Sequence, residues 1–159
     1  MSRTLFLLRH AQAVTDLARY ADRDRPLDPF GEQHARRIGH WLASQNVRPE
    51  LVLVSPARRT QSTARWVLDQ HEGEVGFITD PRIYASSPAL LREIVAEVDP
   101  VIHALMIVGH NPEISRFAHN ISEDIGEMPT GGMVMAEFSA PSWSAALDDR
   151  PLSARLHIL

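Results

Sequence analysis

The sequence predicts an α/β protein: three layers, α/β/α, around a mainly parallel central sheet, with room for one antiparallel strand near the C-terminus. Three observations lead there. Leu5 to Leu8, Leu51 to Val54 and Ala104 to Val108 are short, unbroken apolar runs, the pattern of strands buried on both faces. Segments with the i, i+3, i+4 rhythm of amphipathic helices, expected to run about 10 to 16 residues, stand between and after these runs. The breakers Pro26, Pro29, Pro81, Pro100 and Pro129 to Gly132 all fall between the periodic segments.

Taken in order, Leu5 to Leu8 is the first strand and halts at Arg9 and His10. Ala35, Ile38, Trp41 and Leu42 then mark the first helix, which Asp28 is able to cap. Leu51 to Val54 gives a second strand, followed by helical spacing at Ala64, Val67 and Leu68 and again at Leu90, Leu91, Ile94, Val95 and Val98. Ala104 to Val108 is the third strand, and Ile114, Phe117, Ala118 and Ile121 mark the helix after it. Near the end Val134, Ala136 and Phe138 alternate with other residues, as do Ala154, Leu156 and Ile158, which predicts two late strands joined by a 141–151 connection. No linker-like tract, repeat or low-complexity block divides the chain, so residues 1–159 are expected to form a single domain.

The bulk composition narrows the function classes. With 159 residues and 44% of them hydrophobic, one core suffices, since a chain of this size buries roughly 70% of its unfolded surface. The absence of cysteine excludes a disulfide framework and a thiolate zinc site. A formal net charge of −4 gives no general attraction to nucleic acid or anionic membrane, so any anion binding has to be local. The apolar stretch before Arg9 is too short for a signal-peptide core and no run approaches the length of a membrane span, which makes the cytoplasm the expected location. His34, His40, His71, His103, His119 and His157 lack metal-ligand spacing and are expected on the surface or on helix faces; no metal or other cofactor is expected.

The chemistry gathers at the strand ends. In an open α/β sheet ligands bind just beyond the carboxyl ends of the strands. Arg9 and His10 follow the first run, Ser55-Pro56-Ala57-Arg58-Arg59 the second, and Gly109-His110-Asn111-Pro112 the third. Two histidines and two or three arginines delivered together make a cationic pocket suited to a phosphoryl group, whose spread charge matches the donor forks of arginine. Asn111 before Pro112 reads as the cap of a helix whose positive end faces that pocket, which adds Asn111 to the phosphate-binding set. Ser55 before Pro56 reads the same way for the helix after the second strand. Each fragment alone is commonly a turn, a cap or a surface charge pair; their joint placement carries the reading.

These residues also resemble a known family. Leu7-Leu8-Arg9-His10-Ala11 looks like the Arg-His-Gly signature of the histidine phosphatase superfamily, the phosphoglycerate mutase-like proteins. Pro26-Leu27-Asp28-Pro29-Phe30-Gly31-Glu32-Gln33 is similar to its Pro-Leu-Thr-x-x-Gly-x-x-Gln stretch, Ser55 to Thr63 to its Ser-Pro-Leu-x-Arg-Ala-x-Gln-Thr block, and Val108 to Pro112 to its second-histidine motif. The short chain and the Gly-His-Asn-Pro form resemble the small SixA-type branch. The resemblance implies that His10 is phosphorylated during turnover and that Arg9, Arg59 and His110 hold the phosphate, with Arg58 left exposed or one layer out. Ala11 replaces the usual Gly, Asp28 the usual Thr and Ser62 the usual Gln.

One departure bears on the substrate. Larger superfamily members place a carboxylate general acid in the segment that Arg82 to Pro88 matches, and this stretch contains none. An alkoxide leaving group needs that proton, a contribution of about 10² to 10⁴ in rate. An imidazole leaving group can be protonated beforehand. The expected function is therefore hydrolysis of phosphohistidine in a protein, unless Glu113 or Asp28 supplies the acid. A broad-range phosphomonoesterase acting on small phosphorylated substrates and an idle phosphate-binding or interaction module are the alternatives. His10 needs one free ring nitrogen and a fixed acceptor for the other, with the arginines lowering its pKa and a protonated or donating His110 stabilising the transferring group. A chain this short has little room for a lid, so a shallow, open site is expected, not enclosed by Ala11 to Asp28.

Overall fold

The computed structural model describes residues 2–159. Six strands, β1 (Ser2–Arg9), β2 (Leu51–Val54), β3 (Gly76–Thr79), β4 (Ala104–Gly109), β5 (Met133–Ser139) and β6 (Ser153–His157), form one sheet in the order β3-β2-β4-β1-β5-β6. β1, β2, β3 and β4 are mutually parallel, β5 runs against β1, and β6 pairs antiparallel with β5. Among the described residues β5 is thus the one strand of reversed direction.

Helices cover both faces. Alternate residues of the central strands point opposite ways, which sorts the core into two clusters. Leu5, Leu7, Leu53, Leu105 and Ile107 meet Leu91 and Ile94 of α3 (Pro88–Ala96), Ile114 and Phe117 of α4 (Glu113–Ile121) and Trp143 of α5 (Trp143–Leu147). Phe6, Leu8, Val52, Val54, Met106 and Val108 meet Ala35, Ile38 and Leu42 of α1 (Pro29–Ala43) and Ala64 and Val67 of α2 (Arg58–Leu68). This is the predicted three-layer arrangement. No helix among the described residues is long and apolar enough to cross a membrane.

Local chemistry sets the boundaries. The Gly31 N–H donates to Asp28 Oδ1 at 2.7 Å and Pro29 occupies the first helical turn, so Asp28 does cap α1. Ser87 and Ser142 cap α3 and α5 in the same way, accepting from the Leu90 and Ala145 N–H groups. At the edge of the sheet remote from the strands' carboxyl ends, Arg3 is fully buried and donates to the carbonyls of Ala140, Pro100, Ile102 and Pro141 at 2.8–2.9 Å.

Several elements differ from the sequence expectation. β3 was not expected, because an edge strand with one partner and three of its four residues exposed carries no apolar run. The 141–151 connection contains α5, which seats the fully buried Trp143. α3 and α4 are nine residues each, shorter than the predicted span.

Candidate active site

Register brings the three predicted stretches together. Leu8 pairs with Val108, and Val108 with Val54, so the next residues along β1, β4 and β2 leave the sheet side by side. The His10 N–H donates to Gly109 O at 3.1 Å and the Ser55 N–H to Val108 O at 3.2 Å, extending the ladder into the site. His10 and His110 lie with ring centroids 5.4 Å apart, and Arg59, from the first turn of α2, is buried with them.

The His10 ring is oriented by its neighbour. Nδ1 lies 2.7 Å from Ala11 O, and since a carbonyl only accepts, Nδ1 carries the proton and Nε2 holds the lone pair. Burial lowers the His10 pKa to about 4, with Arg59, Arg9 and Arg25 adding to the effect against the opposing Ala11 bond. The arginines act in the expected direction, yet burial is the larger cause.

His110 is held by a residue with a different expected job. Its Nε2 is 2.7 Å from Ser55 Oγ, which also accepts from the Ala57 N–H at 3.3 Å. We assign the Ser55 hydroxyl proton to His110 Nε2, which leaves the ring proton on the otherwise unpartnered Nδ1. Burial first, then Arg59 and His10, lower the His110 pKa to about 3, which favours the neutral ring, the donating form of the two expected from sequence. Ser55 does not cap α2: that helix starts at Arg58 after Ala57 with no side-chain cap.

Five buried side-chain polar atoms have no partner among the described residues, and three of them are Arg9 Nε, Arg59 Nε and His110 Nδ1. Buried N–H donors are normally satisfied, so three unpaired ones on residues that act on or pack against His10 leave hydrogen-bonding capacity for an acceptor-rich ligand. Arg9 is further oriented by Nη1 donating to Met128 O at 3.0 Å.

Asn111 departs from expectation. α4 begins at Glu113 with no side-chain cap, after a cis Asn111–Pro112 bond. The Asn111 amide instead donates to Met128 O at 2.9 Å and accepts from Ser115 Oγ at 2.5 Å, bracing the loop before β5. A surface groove of about 560 Å³ runs from Asn111 past Ser115, Arg116 and His119 to Glu127.

The structure adds three residues that the sequence reading missed. Asp22, in the loop between β1 and α1, accepts from Arg59 Nη2 at 3.2 Å, from Tyr84 Oη at 2.5 Å and from Arg25 Nε at 3.1 Å, while its carbonyl accepts from Arg59 Nη1 at 2.7 Å. The Tyr84 ring meets His110 edge-on at 5.6 Å. Asp22 is one of four aspartates, with Asp16, Asp24 and Asp28, between β1 and α1, where no periodicity singles it out; Tyr84 lies in the Arg82 to Pro88 stretch, which carries no carboxylate. Asp22 ties this loop to Arg59 and Tyr84 and His10 is only 8% exposed, so the site is less open than expected. The cause is the Arg59–Asp22 pair, which fastens the loop to α2. Of the two candidate acids, Asp28 is committed to Gly31 and Gln12, whereas Glu113 is half-buried beside Arg116, with burial raising its pKa. His34 faces inward from α1, its Nε2 2.8 Å from Leu159 O.

Residues 5–84 match the histidine phosphatase superfamily (branch 1). The chain is 31% identical to an uncharacterized chloroplastic protein of Arabidopsis thaliana, over 92% of this chain and 71% of that one. It is 33% identical to the phosphohistidine phosphatase SixA of Escherichia coli K12, over 67% of this chain and 70% of that one. In fold it is similar to the structure of the protein histidine phosphatase SixA complexed with tungstate, with a TM-score of 0.77 and 21% identity over 98% of this chain and 94% of that one.

Proposed function

The chain belongs to the histidine phosphatase superfamily, SixA-type branch, and from that premise we propose that it hydrolyses phosphohistidine in a protein through a phosphoryl group carried on His10. The observation that carries the reading is the set of unpaired buried donors, Arg9 Nε, Arg59 Nε and His110 Nδ1, gathered around a histidine whose Nε2 lone pair is free.

His10 Nε2 attacks phosphorus while Nδ1–H stays on Ala11 O, so the ring enters the reaction in the correct tautomer without reorganising. The guanidinium groups of Arg9 and Arg59 and the Nδ1–H of His110 stabilise the charge on the transferring group, the role a metal ion plays in other phosphoryl-transfer enzymes. Water then attacks the phosphorylated His10, and the ring leaves with the proton already on Nδ1. The absence of a carboxylate in Arg82 to Pro88 and the commitment of Asp28 to Gly31 and Gln12 support a substrate whose leaving group needs no acid.

The test is a substrate panel: a phosphohistidine peptide, p-nitrophenyl phosphate and small phosphate esters. The expected result is a kcat/KM for the first at least about 10²-fold above the esters, with His10→Ala inactive on all. Comparable values across the panel overturn the phosphohistidine assignment, and turnover by His10→Ala overturns the covalent route.

A further inference from the structure

Asp22 has no place in the reaction as described, yet it is the most heavily bonded carboxylate in the site. Its Oδ2 accepts from Arg59 Nη2 and Tyr84 Oη, and its Oδ1 from Arg25. Its side chain is 46% exposed whereas His10 is 8% exposed, so Asp22 stands at the rim and His10 at the floor. Asp22 is joined to the His10 pocket through Arg59 and through Tyr84, whose ring meets His110. In-line displacement puts the leaving group opposite His10, at that rim.

We propose that Asp22 selects nitrogen-linked phosphoryl substrates, its carboxylate accepting the distal N–H of the leaving imidazolium; this rests on the reading that His10 takes its phosphoryl group from nitrogen. The 3.2 Å contact to Arg59 Nη2 is long for a charged pair, so when Nη2 turns to a phosphoryl oxygen, one Oδ2 lone pair is released for the substrate. A phosphoester has no N–H to offer that oxygen, and its leaving group carries growing negative charge toward a fixed anion.

The step balances. The substrate ring enters with a proton on the nitrogen distal to phosphorus. The His10 Nε2 lone pair forms the new P–N bond, the old P–N bond gives its electrons to the leaving ring, and that ring departs as neutral imidazole keeping its distal proton. His10 is then a phosphoimidazolium with Nδ1–H on Ala11 O. Water forms the P–O bond, the P–Nε2 electrons return to His10, and both water protons leave with the phosphate.

A general acid needs a raised pKa, whereas here the Tyr84 hydroxyl bond, joined by Arg59 and Arg25, holds the Asp22 carboxyl at about 2 against the opposing push of burial. Every charged or titratable group facing Asp22, namely Arg59, Arg25, Tyr84 and His110, favours or permits its ionised form. Asp22 therefore acts as an acceptor at all working pH values.

Asp22→Asn tests this with N-phosphorylimidazole and p-nitrophenyl phosphate as paired substrates. The ratio of their kcat/KM values is expected to fall at least about tenfold, and the alkaline limb of the N-phosphorylimidazole profile to move about one pH unit lower, because the carboxylate no longer holds the substrate ring protonated. Asp22→Glu, which keeps the charge, is expected to recover part of the ratio. An unchanged ratio and profile in Asp22→Asn overturn the assignment and leave Asp22 as an anchor of Arg59. A wild-type protein that turns over p-nitrophenyl phosphate but not N-phosphorylimidazole overturns the nitrogen-substrate reading itself, and this inference with it.

Discussion

At the scale of single residues, two buried histidines are kept neutral, and that has a cost in acid. Their folded pKa values, about 4 for His10 and about 3 for His110, lie below the value of 6.5 expected for an unfolded chain, with burial the first cause in both. Between those limits the unfolded chain binds protons that the folded chain refuses. The stabilisation is whole above pH 6.5 and is lost as the pH falls toward 4. From pH 7.5 to 5 the loss is about 2 kcal/mol for each ring. Urea unfolding at those two pH values is expected to show it, and the double variant His10→Asn, His110→Asn is expected to flatten the difference; an equal slope in both proteins contradicts the buried-neutral assignment. The same burial keeps the nucleophile unprotonated well below pH 6, where a free imidazole would already be charged.

At the scale of elements, the motif glycine of the 26–33 stretch has a steric reason. A Cβ on Gly31 would stand 2.0 Å from Gln12 O and 2.9 Å from Gln12 C, both backbone atoms just past His10 and Ala11. α1 thus presses its first turn against the chain leaving the nucleophile, and the Gln12–Asp28 side-chain bond at 2.7 Å closes the same contact. Gly31→Ala is expected to cost at least about 2 kcal/mol, lowering Tm by roughly 4–8 °C, and to reduce kcat/KM by displacing the His10 support. Gly126→Ala, where a Cβ meets nothing within 4 Å, serves as the control and is expected to leave Tm within about 1 °C. Equal melting of the two variants would contradict the contact. Elements were legible in the sequence where burial imposed a period: the central strands and the four longer helices all wrote their faces into apolar spacing. β3 and α5 did not, the first because one exposed edge strand needs no apolar run and the second because five residues hold barely one turn of pattern.

At the scale of the whole molecule, the site is a product of register. Arg9, His10, Arg59 and His110 were legible because each follows an apolar strand, and the parallel order of β2, β4 and β1 brings those ends to one edge. Ser55 was visible but misread, since sequence offers a cap and only the fold offers His110 as its partner. Asp22, Arg25 and Tyr84 reach the site from loops whose course no periodicity records. The central claim is that this convergence serves to place a phosphoryl group on one ring nitrogen. Brief incubation with a phosphohistidine peptide carrying labelled phosphate, an acid-free quench and mapping of the label test it most directly. The account predicts label on His10 alone, absent from His10→Ala; label on His110 or another residue, or release of phosphate from His10→Ala, would contradict it.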